Sequence, residues 1–328
     1  MRAMVSERPG APLVPHDLPR PAPAADRLLI EIEACAVCRT DLHVVDGELP
    51  GVPYPVVPGH QIVGRVAKDG AAGSFAAGDR VGVPWLGYAC GHCRYCVSGR
   101  ENLCDRAAFT GYTLPGGYAE CVAVDPAFAF ALSGEASAAD LAPLLCAGMI
   151  GYRALRMCGE AEHVGLYGFG AAAHLLAQVL RHQGRAFYAF TRAGDTAAQR
   201  SAEALGARWA GDSDRRPDRA LDAAIVFAPV GALVPAALRA VAKGGIVVCA
   251  GIHMSDIPAM PYSLLWEERQ LRSVANLTRA DGAELLAFAA RFPLQTRVTR
   301  YPLADANRAL EDLREGRFTG SAVLCVDA

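Results

Sequence analysis

The chain has 328 residues, with 32 Lys+Arg against 34 Asp+Glu for a formal net charge of -2; 52% of its residues are hydrophobic and 20% charged. At the usual ~100–200 residues per domain this length gives about two domains with real cores. The balance excludes a disordered tail protein and argues against nucleic acid as a partner, because phosphate binding needs a basic surplus. The uncharged stretch His163–Leu180 holds Gly165, Gly168 and Gly170 together with His174 and Gln178, so it reads as a glycine turn feeding a helix and not as a membrane span. The N-terminus, MRAMVSERPGAPLVPHDLPRP, has early charges and no apolar segment, so no secretory signal and a cytoplasmic location are expected. In that compartment the 11 cysteines are expected to be thiols or metal ligands, not disulfides.

In chain order, LLIEIEACAV (Leu28–Val37) runs apolar over strand length, and Val56–Val66 holds a second such stretch interrupted by Pro58 and Gly59. GDRVGVPW (Gly78–Trp85) and GGYAECVAVD (Gly116–Asp125) continue the pattern, predicting a barrel-like or Greek-key first half. ADLAPLLCAGMIGYRAL then places Leu141, Leu144, Leu145, Met149 and Tyr152 at helix spacing. Strand and helix alternate from there: HVGLYGF, a strand entering a glycine turn; AAAHLLAQVLRHQG, a helix ending at Gly184; RAFYAFT, a strand; TAAQRSAEALGA, a helix. LDAAIVFAP follows as a strand, VPAALRAVAKGG as a helix and GIVVCAG as a strand, an order that predicts a doubly wound parallel sheet. The tail reads as a helix (ADGAELLAFAARF), a short strand (VTRYPL), a helix (ADANRALEDLREG) and a strand (SAVLCV) able to complete the first lobe.

Three groups of residues carry chemistry. Cys90, Cys93, Cys96 and Cys104 form C-x2-C-x2-C-x7-C, four thiolates close enough to wrap one tetrahedral zinc at about 2.3 Å each. A closed thiolate site has no open position and is structural; unrelated buried thiols and an iron–sulfur cluster are the alternatives. Cys38, His60 and Cys146 supply two thiolates and an imidazole, a set that leaves a fourth zinc position open, although no spacing rule joins them. Gly168-Phe169-Gly170-Ala171-Ala172-Ala173 is a G-x-G-x-x-A turn between strand and helix, where the backbone can approach a pyrophosphate at the positive helix N-terminus. The residue that selects the ribose lies about twenty residues on. There the next strand ends in Thr191 and Arg192, with no carboxylate, which favours NADP over NAD unless Asp195 reaches back to do the acidic job.

At these motifs the chain resembles the zinc-dependent alcohol dehydrogenases of the medium-chain dehydrogenase/reductase superfamily, over nearly its whole length. ACAVCRTDLH, VPGHQIVG, GDRVGV, the four-cysteine lobe, APLLCAGMIGYRAL and the glycine turn occur in the family's order, and GVPWLGYACGHCRYC and FTGYTLPGGYAEC resemble its yeast and bacterial branch. The resemblance implies an α/β fold: a GroES-like β-rich catalytic domain over 1–147 with a structural zinc lobe at about 88–105, a Rossmann cofactor domain over 148–277, and a return to the catalytic domain over 278–328. It implies two zinc ions per chain, NADP or NAD as cofactor, small alcohols or aldehydes as substrates, and a homodimer or homotetramer without a nucleic-acid or membrane partner. Carried over by position, Cys38, His60 and Cys146 hold the catalytic zinc, Asp41 orients the zinc-bound histidine, Thr40 touches the substrate oxygen, His43 passes the proton to solvent, and Arg39 contacts the pyrophosphate. Trp85 and Tyr112 fall where the family builds its substrate pocket, and bulky aromatics there favour small or slim substrates.

The chain departs from the family at several points. Gln61 stands where a Glu usually follows the zinc-binding histidine, Ile150 where a nicotinamide-positioning Thr is common, and Gly320-Ser321 where the family has Gly-Arg. The missing phosphate contact is then expected from Arg317 or Arg279. Cys35, Cys121, Cys158, Cys249 and Cys325 are read as bystanders. The C-x-x-C of Cys35 and Cys38 is not read as a redox pair, because no helix start is expected after Cys35 to activate a thiolate. Two other readings keep parts of this frame: a zinc-independent reductase of activated alkenes or quinones, and a non-catalytic redox-sensing protein that binds a partner through its zinc lobe.

Overall fold

The computed structural model describes residues 1–22, 24–68 and 70–326. The chain forms two compact units, one of Met1–Cys146 with Asn276–Ala328 and one of Ala147–Ala275.

In the first unit the main sheet runs in the order Val298–Pro302, Ser321–Cys325, Leu28–Val37, Ile62–Val66, Arg80–Val83, Phe130–Ala131, and Cys121–Val124 also pairs with Leu28–Val37. The central strand Leu28–Val37 is covered on both faces, which is why it reads as an almost unbroken apolar run, with Glu31 exposed and Glu33 half-buried. It bulges between Ile32 and Ala34 opposite Gly64, where a Cβ would fall 2.2 Å from the Glu31 carbonyl, so only glycine lets the two strands approach. Leu28, Ile30, Ile62, Val81 and Leu324 form the core here, each contributing about 1.5–3 kcal/mol by burial. Ser321–Cys325 pairs antiparallel with Leu28–Val37, so the C-terminal segment completes this unit.

The helix expected through Cys146 is broken. Ala138–Leu141 is α-helical, Ala142–Leu145 is a 3-10 turn, and helix resumes at Ala147–Met157. Pro143 has no N–H to give to a continuing helix, so the α-ladder stops there. Cys146 lies at the break with φ -130° and ψ -69°, outside either helix.

The second unit is a six-stranded sheet in the order Trp209–Asp212, Ala186–Thr191, His163–Tyr167, Leu221–Val226, Val241–Cys249, Gln270–Ser273, every pair parallel. That is the 3-2-1-4-5-6 order of a dinucleotide-binding fold. The two outer strands were not expected from sequence: Trp209–Asp212 is short and only half-buried, and Gln270–Ser273 is polar and mostly exposed, so neither shows the apolar run of a central strand. The helix expected over VPAALRAVAKGG is shorter, Leu233–Ala240, because Val241 already pairs with Leu221 in the sheet. Tyr167 stacks on Phe190 at 4.0 Å within this unit's core. Among the described residues no helix is long and apolar enough to cross a membrane.

Candidate metal and cofactor sites

The helix Arg39–Asp46 begins immediately after Cys38, and Cys38 is its N-cap: its Sγ accepts the Thr40 N–H at 3.3 Å. Asp41 closes the capping box by accepting the Cys38 N–H at 2.8 Å through Oδ2. A helix start therefore does follow the C-x-x-C, contrary to expectation, and the residue placed at it is Cys38; Cys35 is buried in the preceding strand. The other Asp41 oxygen lies 2.9 Å from His60 Nδ1, and both side chains are buried. With Nδ1 given to Asp41, His60 presents Nε2, which lies 3.3 Å from Cys38 Sγ.

The ligand atoms of Cys38, His60 and Cys146 lie within 4.8 Å of one another. Burial disfavours a charged His60, yet the Cys38 and Asp41 charges outweigh it and raise its pKa to about 10. The hydrogen bond with Cys146, then burial, push the Cys38 thiol well up. Two sulfurs and an imidazole converge here with a carboxylate already fixing the imidazole, so the donor set fits a zinc with one open position. Gln61, buried next to this cluster in sequence, donates its side-chain amide to the Ala36 carbonyl at 3.3 Å.

Trp85 is buried and its ring meets the His60 ring edge-on at 4.8 Å. Phe109 and Tyr112 stack on Trp85 at 5.4 and 5.6 Å, and the Tyr112 hydroxyl donates to the Pro50 carbonyl. The two aromatics expected at a substrate pocket are thus brought together beside His60. Phe109 belongs to the same wall and was not singled out from sequence, although it stands three residues before Tyr112. His43 Nδ1 pairs with the Glu48 carboxylate, a partner on the turn after the helix that the sequence reading also missed. Thr40 is half-buried and Arg39 exposed on the first turn.

Tyr118 is a further residue the motifs did not mark. It is fully buried, and burial, then the Asp41 charge, push its phenol well above the ordinary range, so it keeps its proton.

The sulfurs of Cys90, Cys93, Cys96 and Cys104 also lie within 4.8 Å of one another. Cys93 and Cys96 approach to 3.5 Å, and backbone N–H groups reach the cluster: Cys93 N–H to Cys90 Sγ at 3.3 Å, and Cys90 and Arg106 N–H to Cys104 Sγ at 3.4 Å each. The His92 N–H leads the contacts that lower the Cys90 pKa to about 5. Four converging sulfurs with N–H support suit a tetrahedral thiolate site.

Arg279, one of the two arginines expected to supply a phosphate contact, is engaged with Glu101 in this structure. Its backbone N–H and Nε each reach Glu101 Oε1 at 2.9 Å, and its guanidinium lies 5.0 Å over the Phe128 ring. It ties the start of the helix Arg279–Arg291 to the four-cysteine lobe. Arg317 is similarly engaged, by Asp312 at 2.9 Å and by Glu315.

In the second unit, Gly168 has φ +90° and its missing Cβ would lie 3.0 Å from Ala228, so the turn needs glycine. Gly170 is the N-cap of the helix Ala171–His182 and offers no side chain to its first-turn N–H groups, which leaves them for an anion. Ala171 opens that helix and Ala173 is fully buried on it. Thr191 ends the strand Ala186–Thr191 and is buried, its hydroxyl engaged with the Gly211 and Arg192 carbonyls at 3.3 and 3.1 Å and with the Gln199 amide at 3.0 Å. These bonds pin the strand end. Arg192 is different, with a side chain 92% exposed and a loose contact to Asp195 at 3.6 Å. Asp195 itself caps the next helix through the Ala198 N–H at 3.1 Å, so its carboxylate is committed there.

Comparison with known proteins agrees with this geometry. Residues 24–134 match the alcohol dehydrogenase GroES-like domain. The chain is similar to a probable alcohol dehydrogenase AdhA of Mycobacterium tuberculosis (strain CDC 1551 / Oshkosh), 47% identical over 341 residues that cover 99% of this chain and 97% of that protein. It is similar to an alcohol dehydrogenase of Geobacillus stearothermophilus, 33% identical with 100% of each chain covered. The solved structure of a cinnamyl alcohol dehydrogenase from Sorghum bicolor shares the fold, with TM-score 0.89 at 24% identity over 100% of this chain and 98% of that one. The chain belongs to the zinc-dependent alcohol dehydrogenases of the medium-chain dehydrogenase/reductase superfamily.

Proposed function

We propose that the protein transfers hydride between small alcohols or aldehydes and a nicotinamide cofactor, NADP(H) in preference to NAD(H), with zinc at both clusters. The observation that carries the reading is the convergence of Cys38, His60 and Cys146 with Asp41 on the far nitrogen of the imidazole. When bound there, zinc supplies a Lewis acid to polarise the substrate oxygen, and the nicotinamide supplies or accepts the hydride.

The chain's own residues do the rest. Asp41 keeps the proton on His60 Nδ1 and so leaves Nε2 as the ligand. Thr40, two residues past Cys38 on the first helical turn, is the hydroxyl that meets the substrate oxygen. His43, held by Glu48, moves the proton toward solvent; its side chain is 16% exposed, enough to exchange with water while staying oriented. Trp85, Phe109 and Tyr112 form a flat wall that excludes water and admits slim substrates. Gly168, Gly170 and the helix start at Ala171 receive the pyrophosphate. Arg192 meets the 2′-phosphate of NADP, since no carboxylate stands free at that strand end. Gln61 is neutral and engaged with Ala36, so it adds no negative charge near the metal. The four-cysteine site stabilises its lobe, and a cytoplasmic homodimer or homotetramer completes the proposal.

The test follows reduced nicotinamide absorbance while the zinc-replete protein reduces a short aldehyde, with NADH and NADPH at equal concentration. Faster turnover with NADPH supports the reading; equal rates remove the preference, and no turnover with either removes the substrate class.

A further inference from the structure

We infer that Tyr118 is a positioning residue for the Cys38–His60–Cys146 cluster, acting through Asp41, an inference that rests on reading that cluster as a metal site. Tyr118 lies on a segment bonded along the loop that delivers His60. Gly116 N–H reaches the Val57 carbonyl at 2.8 Å, Gly117 N–H reaches Gly59 at 2.9 Å, and Tyr118 N–H reaches Pro58 at 2.9 Å. The Tyr118 ring sits on Gly59, the residue before His60: a Cβ on Gly59 would lie 2.4 Å from Tyr118 Cδ1, and Gly59 takes φ +97°. Ring and backbone together therefore fix the path of the chain into His60.

The hydroxyl does something separate. It is buried and has no hydrogen-bond partner among the described residues, and the Asp41 charge acts on it. A buried hydroxyl left without a partner is costly and calls for one nearby. Asp41, whose charge acts on this phenol, is the group able to accept from it. Its Oδ1 serves His60 Nδ1 and its Oδ2 serves the Cys38 N–H, and each carboxylate oxygen has a second lone pair to accept from a phenol. Tyr118 thus holds the carboxylate in the one orientation that serves both ligand residues. Phenylalanine would fill the same space and keep the packing on Gly59, so the hydroxyl alone carries this role.

The experiment compares the parent, Tyr118→Phe, Asp41→Asn and the double variant as purified holoproteins. It follows metal release to a chelating indicator, the visible spectrum after cobalt is exchanged into the Cys38–His60–Cys146 cluster, and thermal midpoints. Outer partners of metal ligands are worth about 10–100-fold in metal affinity, so one step further out Tyr118→Phe should speed release of one metal by about three- to tenfold. It should shift the cobalt bands, leave release from the four-cysteine lobe and the thermal midpoint at parent values, and add nothing in the Asp41→Asn background. Parent-like release with an unchanged cobalt spectrum overturns the inference, as do effects of the two substitutions that simply multiply. A parent that binds metal only in the four-cysteine lobe overturns the site reading itself.

Discussion

Asp41 and His60 face each other across 2.9 Å in full burial, while the second Asp41 oxygen caps the backbone of Cys38. One carboxylate thus orients the imidazole and positions the thiol that converge with Cys146. Asp41→Asn keeps the size of the side chain but removes its charge and presents an N–H where His60 or Cys38 needs an acceptor. It should cost about 10–100-fold in metal affinity or activity, measured by zinc content after dialysis and by kcat. Parent-like zinc retention would show that His60 is aimed by something else.

The proposed preference for NADP rests on Arg192. Its exposed guanidinium has only a loose tie to Asp195, so Arg192→Ala should raise KM for NADPH by about tenfold, the scale of one charge-assisted contact, and leave KM for NADH within about twofold. Equal changes for both cofactors would count against phosphate recognition at this residue.

The Glu101–Arg279 pair predicts a pH-dependent stability. Burial works against the Glu101 carboxylate, but Arg279 holds it net below its ordinary pKa. A carboxyl lowered on folding stabilises above its unfolded value, about 4.3, and loses that contribution as pH falls through the folded value. Because Arg279 is 45% exposed, screening limits the pair to about 1 kcal/mol or less. Glu101→Gln should therefore lower the thermal midpoint at pH 7 by a few degrees at most, and the gap should narrow as pH falls below the ordinary carboxylate range. A gap that stays constant from neutral pH into acid would show that the charge is not what Arg279 recognises.

The four-cysteine lobe predicts a stability effect separate from catalysis. Cys93→Ser should remove that metal, lower the thermal midpoint and preserve turnover at low temperature, checked by metal analysis beside activity. Full loss of turnover in a folded Cys93→Ser protein would contradict a structural role.

The motifs of the site were legible because their chemistry is local. The four cysteines fall within a short loop, and the glycine turn sits between a strand and a helix with apolar periods of their own. What the sequence did not show depends on partners distant in the chain or on the absence of a partner. Arg279 meets Glu101 across 178 residues. Thr191 is bonded to Gly211 and Gln199, partners that its place at a strand end does not announce. The edge strand Gln270–Ser273 has no apolar face to announce it, and Pro143 breaks a helix whose hydrophobic spacing continues past it. Tyr118 gave no signal because its packing on Gly59, the residue before His60, is set only by the fold.

The central claim, that Cys38, His60 and Cys146 hold the catalytic metal, is tested most directly by counting zinc and measuring turnover in Cys146→Ser. Cys146 lies at a break between helices, so the substitution leaves the fold intact. The account predicts one zinc per chain lost, the four-cysteine zinc retained, a thermal midpoint close to the parent and no measurable alcohol oxidation or aldehyde reduction. A Cys146→Ser protein that keeps both zinc ions and most of its activity would contradict it.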